Sequence, residues 1–279
     1  MLMDSGDMLE LAAQRVAARG RLVVRRAAGR TRLARLHQDG AAKIRMPAVA
    51  ADPLEAVLIN TAGGLTGGDR VAWQVEAEAG ASVSVTTQAC ERLYRAGSGR
   101  AEVSVTLTAG ANARLAWLPQ ETIVFDRSAF SRRLEADLAA GAEALILEAT
   151  VFGRLARGEA VRQADFRDRW RIRQEGRLVH AEDFAIGPDT AATLGLGAVT
   201  AGGIAVATLL LVAPDADERL AAVRDIIGED GGASAWSVAG TGKLLARLVA
   251  GDSYRLRQRL VPLIGLLNGQ AGLPKVWSI

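Results

Sequence analysis

The sequence predicts a mainly β protein of stacked hairpins, solenoid-like (β-helical) in architecture, with two helices near the C-terminal end. Three observations carry that expectation. The segments AEAGASVSVTT, TAGANARLAWL and AAGAEALILEA repeat one design: alternating residues, an Ala-Gly-Ala turn, then a second alternating strand. Their glycines, Gly80, Gly110 and Gly141, fall 30 and 31 residues apart. Units repeated at such a period stack so that each buries a face its neighbour needs. RIRQEGRLVHAED, with Gly176 at its turn, reads as a looser fourth copy. Second, the chain is 49% hydrophobic but only 4% aromatic, so its core must be built from Ala, Val, Leu and Ile. Third, the β pattern gives way after residue 213 to helical periodicity. An antiparallel sandwich with evenly spaced turns stays open as the alternative.

Taken in order, residues 1–19 are weakly helical and read as a mobile or peripheral start. Arg21 to Leu36 suggests two short strands joined at Gly29. VLINTAGGLTGGDR follows at Val57 to Arg70, a buried-strand run ending in a loop with Gly63, Gly64, Gly67, Gly68 and Asp69. Paired glycines allow positive φ and let another surface approach the backbone with no Cβ in the way. Ordering such a loop costs much conformational entropy, so a ligand, a partner or a demanding turn must justify it. The hairpin repeats come next. Thr190 to Pro214 carries no charge and is long enough for a membrane helix, but Gly202-Gly203 splits it into two strand-sized halves. Beyond it, Asp215 can cap a helix through ERLAAVRDII that Gly228 ends. SAWSVAG and KLLARLVA read as strands. SYRLRQRLVPLIGLL reads as a second helix capped by Asp252 or Ser253, which Pro262 should end or kink unless the helix starts later. No linker or low-complexity tract divides the chain. It reads as one domain over 1–279, with a β stack at 20–213 and an α/β part at 214–279.

Composition narrows the function. The net charge is +3, from 34 basic and 31 acidic residues, and the basic side is arginine except for Lys43, Lys243 and Lys275. Interspersed acids and the lack of basic patches interleaved with aromatics favour an ion-paired, solvated surface over nucleic-acid binding. The one cysteine, Cys90, excludes an internal disulfide and fits a reducing compartment. MLMDSGDMLELAAQ has no apolar core of a secretory signal.

Chemical motifs are sparse. His37 and His180 lie in unrelated segments and no C-x-x-C or H-x-x-x-H spacing exists, which argues against a tight zinc- or copper-type site. Cys90, in TTQACERLYRA, has no histidine partner to activate it and reads as structural. AGTGKLL resembles the end of a phosphate loop, but Ser237 stands where the first glycine belongs and Leu244 where Mg²⁺ needs a hydroxyl. GLGAVT fails as a dinucleotide fingerprint at Thr200. The sequence offers no catalytic constellation. What remains are acids in apolar settings: Glu121 and Asp126 in LPQETIVFDRS, and Glu159 in GRLARGE. They either pair with Arg127, Arg154 or Arg157, or line a polar passage that weakly coordinates a divalent ion in transit.

The order LINTAGGLTGGDR, TTQACERLYRA, LPQETIVFDRS, GRLARGE, over residues 57–159, resembles the UreD (UreH) urease accessory protein family, with Thr61-Ala62 where many members carry Pro-Pro. The resemblance implies a cytoplasmic, non-enzymatic chaperone for nickel insertion. Such a protein forms a scaffold between apo-urease, the accessory protein UreF and, through UreF, the GTPase UreG. It also implies a β solenoid with two helices and an internal tunnel for Ni²⁺. On that model Glu121, Asp126 and Glu159 line or gate the tunnel, with no cofactor tightly bound and no nucleic acid or membrane as partner. Oxygen ligands suit transit because they release nickel where thiolates and imidazoles would hold it. A β-solenoid enzyme with its cleft at the glycine loop is the competing reading.

Overall fold

The computed structural model describes residues 15–47, 52–154 and 158–277. The repeats form a mainly β, solenoid-like stack, but the copies at Gly80, Gly110 and Gly141 are not hairpins. Strand β5 (Arg70–Ala77) lies in one sheet and β6 (Ser82–Thr87) in the other, with the turn arching between them. The next copies, β8 (Ala101–Ala109) with β9 (Arg114–Leu118) and β11 (Ala129–Leu138) with β12 (Glu143–Phe152), do the same. Hydrogen bonds therefore run between copies: β5, β8 and β11 pair in parallel, as do β6, β9 and β12. The turns stack too, Gly80 N–H donating to the Ala111 carbonyl at 2.9 Å and Asn112 N–H to that of Ala140 at 3.1 Å. Alternation specifies one buried face per strand, not the source of its hydrogen bonds, so hairpin and arch look alike in sequence.

Register also corrects the equivalence of the repeats. Ala77 aligns with Ala109, and Ala109 with Leu138, which makes Gly80, Asn112 and Gly141 the matching positions rather than Gly110. All three are left-handed, with φ of 67°, 55° and 68°. Asparagine tolerates that conformation where other side chains do not.

Three connections among the described residues are hairpins with two-residue loops: β1 (Ala17–Ala27) to β2 (Arg30–Asp39), β13 (Asp165–Gln174) to β14 (Arg177–Ile186), and β16 (Gly231–Val238) to β17 (Thr241–Ala250). Each turns on a non-glycine followed by a glycine, both at positive φ: Ala28-Gly29, Glu175-Gly176 and Ala239-Gly240. That is the twist-matched two-residue loop. The Gly176 copy is thus a hairpin within one sheet, and AGTGKLL is a hairpin turn. Strand β1 begins at Ala17 and residues 15–16 lead into it, so 15–19 are not helix; the remainder of the expected helical start, 1–14, lies outside the described residues.

The remaining strands are β3 (Ala42–Arg45), β4 (Leu54–Asn60), β7 (Glu91–Leu93), β10 (Thr122–Val124) and β15 (Ala205–Val212). The first sheet runs β14-β13-β11-β8-β5-β1-β2. The second runs β16-β17-β15-β12-β9-β6-β4-β3, with β10 and β7 attached beside β12. One apolar layer, including Leu22, Val105, Leu134, Ile146 and Phe166, fills the space between them. A second lies outside the second sheet, where Leu145, Leu147, Leu209 and Leu211 meet two helices.

Those helices are α2 (Leu220–Ile227) and α3 (Ser253–Leu267), preceded by the short α1 (Thr190–Gly195). Helix α1 replaces the first of the two strands expected between Thr190 and Pro214, because the Asp189 carboxylate caps it by accepting from Ala192 N–H at 3.2 Å. The second half is β15. No helix among the described residues is long and apolar enough to cross a membrane. Asp215 does not cap α2. It pairs with Arg219 at 2.5 Å, and a 3₁₀ turn at Asp217–Arg219 leads into the helix. Asp252 caps α3, accepting from Arg255 N–H at 2.8 Å. The helix continues through Pro262 because its buried face spans it, with Leu256 and Leu260 before and Leu263, Ile264 and Leu267 after.

Candidate functional site

The glycine loop packs against the chain of the next coil. Leu65 N–H donates to the Arg92 carbonyl at 2.7 Å and its own carbonyl accepts from Tyr94 N–H at 2.8 Å. A Cβ on Gly64 would lie 2.3 Å from the Tyr94 ring, and one on Gly67 2.1 Å from the Ser98 carbonyl. Gly63 and Gly68 hold φ of 76° and 91°. Asp69, buried, ties the turn together: Oδ1 accepts from Val16 N–H at 2.9 Å and Oδ2 from Thr66 N–H at 2.8 Å. Beside the loop is a cavity of about 130 Å³ whose polar wall includes Asn60, Gln88, Cys90, Glu91 and Arg92.

The three carboxylates singled out in the sequence separate into two places. Glu121 is 1% exposed and accepts two bonds from Arg257, at 2.6 Å from Nε and 2.7 Å from Nη2. The Cys90 thiol donates to it at 3.3 Å. Burial, and then the Glu121 charge, push that thiol up to about 12, so it stays protonated near neutrality. This group lines a cleft of about 420 Å³ with Arg154 and the exposed Tyr254. Asp126 and Glu159 meet elsewhere: Asp126 N–H donates to Glu159 Oε1 at 3.4 Å. Asp126 accepts from the backbone N–H groups of Gln163 and Arg162 at 3.0 and 2.8 Å, and these bonds, Gln163's first, hold it below its ordinary value. Glu159 pairs with Arg154 at 2.5 Å, while Arg127 sits 3.7 Å from Asp126. Arg157, the third arginine considered for pairing, is outside the described residues. Among the described residues no three His, Cys, Asp or Glu side chains group to hold a metal ion.

Sequence reasoning missed a second set of buried charges. Between the sheets, Arg132 of β11 pairs with Asp168 of β13 through two bonds, at 2.5 and 3.1 Å, and with Glu148 of β12 at 2.5 Å. All three side chains are about 5% exposed. Indole N–H groups complete the shell, Trp117 donating to Glu148 at 2.9 Å and Trp170 to Asp168 at 3.1 Å. Burial works against the Arg132 charge, but Asp168 and Glu148 outweigh it and hold the guanidinium above its ordinary value. Burial raises the Glu148 carboxyl, with Arg132 opposing. Glu182, on β14 next to Trp170 in register, pairs with Arg247 at 2.5 Å. A cavity of about 100 Å³ joins the two groups, touching Glu148, Asp168, Glu182, Arg247 and Thr208. Thr122, one residue after Glu121, accepts from Arg132 Nη1 on the inner side at 3.3 Å. These two successive residues thus have different partners, Glu121 in the cleft with Arg257 and Thr122 with Arg132 of the buried cluster. One signal was present: Glu148, Asp168 and Glu182 each interrupt an apolar or alternating strand on its buried face. His180 is also buried. Burial first, then Lys243 and Arg247, push it down to about 4, so it is neutral beside Glu182.

This architecture defines a two-sheet β solenoid whose interior is braced by ion pairs. Compared with known proteins, residues 16–278 match the model of the UreD urease accessory protein family. A protein of Mesorhizobium japonicum named urease accessory protein UreD is 67% identical over 267 residues, covering 96% of this chain and 95% of that one. A Brucella ovis protein named urease accessory protein UreD 1 is 55% identical over the full length of both. The chain belongs to the UreD urease accessory protein family.

Proposed function

We propose that this chain is a urease maturation factor, a non-enzymatic scaffold that joins apo-urease to UreF-type and UreG-type accessory proteins and helps Ni²⁺ reach the urease active site through its own interior. The observation that supports the passage is the succession Glu121-Thr122, in which Glu121 lines the cleft and Thr122 accepts from Arg132 of the buried cluster, whose Glu148 and Asp168 wall the inner cavity with Glu182. Carboxylate oxygens suit a borderline divalent ion in transit, because they bind it weakly enough to release it. Glu121, with Asp126 and Glu159 at the neighbouring turn, would stand at the mouth, and the buried carboxylates further in. Their arginine partners would neutralise the walls between passages, keeping the empty channel folded.

The test is urease activation in cells that express the urease subunits and accessory proteins with this chain replaced by variants. Glu121→Ala/Asp126→Ala/Glu159→Ala should lower the nickel content of urease while the accessory complex still assembles on an affinity column. Full nickel loading by that variant would sink the passage. Full activation in cells lacking the chain altogether would sink the scaffold.

A further inference from the structure

Among the described residues, the outer face of the first sheet is left uncovered, whereas helices cover the second. Largely parallel sheets normally have both faces covered. Register places one row of outward residues across all seven strands: Asp39, Arg19, Ala72, Ser104, Arg133, Arg169 and Asp183. Ala72 and Ser104 are small, so the middle of the row dips into a groove of about 570 Å³ between Arg19 and Arg133. Three other arginines of this face are neutralised: Arg70 by Glu102 at 3.1 Å, Arg21 by Glu76 at 3.1 Å, and Arg171 by Asp183 at 2.7 Å. Arg19 and Arg133 are exposed, and among the described residues neither has an ion-pair partner.

We propose that this groove docks an extended acidic segment of a partner protein, laid across the strands with carboxylates on Arg19 and Arg133. Three strand spacings separate the two arginines, about 14 Å. An extended chain covers that distance in about four residues, and residues i and i+4 project from one face of it. The occupant is therefore a segment with acidic residues four apart and small or uncharged residues between, seated over Ala72 and Ser104. Guanidinium forks favour such carboxylates. A nucleic acid fits less well, because its evenly spaced phosphates would meet Asp39, Glu102 and Asp183 along and beside the row. The proposal supplies a partner surface for the scaffold reading and rests on it for biological meaning.

The test uses fluorescence anisotropy of the full chain at low salt, with labelled nine-residue peptides carrying two glutamates, four apart in one and three apart in the other. The four-apart peptide should bind more tightly. Arg19→Glu/Arg133→Glu, and separately Arg19→Gln/Arg133→Gln, should weaken it at least tenfold. Arg25→Glu/Arg32→Glu, an off-row pair with the same change in net charge, should weaken it less than twofold. Equal weakening by both Glu pairs, no spacing preference, no binding by the parent chain, or tighter binding of an oligothymidylate would each overturn the proposal. Urease activation in cells reads the scaffold separately, so either can fail without the other.

Discussion

Removing the Arg132 guanidinium tests the reasoning about the interior most directly. Arg132→Met keeps most of the side-chain volume but leaves Glu148 and Asp168 facing each other between the sheets, each about 5% exposed. Breaking a buried pair in this way costs about 3–5 kcal/mol, because an uncompensated charge stays in a medium that solvates it poorly. The indole bonds from Trp117 and Trp170 offset part of that loss but cannot supply a counter-charge. A chain of this size should lose roughly 10 °C in Tm. Adding Glu148→Gln and Asp168→Asn removes both charges while each amide oxygen can still accept from its tryptophan. That triple variant should recover to within about 2 kcal/mol of the parent, since neutral replacements of buried ion pairs are often tolerated. Urea and thermal melts followed by tryptophan fluorescence give both numbers, with the two indoles reporting locally. A single variant as stable as the parent, or a triple variant no better than the single, would refute the account of this cluster as a mutually compensating charge set.

Two further expectations follow from the same structure. His180, with a folded value of about 4 against 6.5 unfolded, binds fewer protons when folded, so stability should fall as pH drops from 6.5 to 4 and be untouched above that window. Allowing for partial solvent access, the loss is about 2 kcal/mol. The raised Glu148 runs the other way, its contribution present in acid and lost as pH rises, so the readout is the difference between parent and His180→Gln melts across that range. No difference in slope would contradict the burial argument. Gly67→Ala drives a methyl group into the Ser98 carbonyl, a backbone atom 2.1 Å from the ideal Cβ, and should cost about 2 kcal/mol. Limited proteolysis should then cut within residues 61–69 or 95–99 first, while unchanged protection would mean that the loop does not depend on that contact.

The particular residues separate what was legible from what was not. Alternation in Val71-Trp73-Val75 and Val83-Val85 marked buried strand faces, and Asp252 marked a helix start, because burial period and capping are local properties. The glycine loop's role in close packing was suggested by composition, but its neighbour, the Arg92–Gly99 stretch, was not. Hairpin against arch was undecidable, since both bury the same residues and differ only in which distant strand supplies the hydrogen bonds. The same limit hid the interior cluster. Arg132, Glu148 and Asp168 are spread over 36 residues, and nothing in their immediate neighbours says that they meet. Glu121 likewise found Arg257, 136 residues away, rather than an arginine nearby. By itself the sequence determined the buried faces of most strands, the repeat period and the family resemblance, which depend on short-range pattern. Only the tertiary structure decided which charges face one another, because parallel stacking brings together side chains a full coil apart.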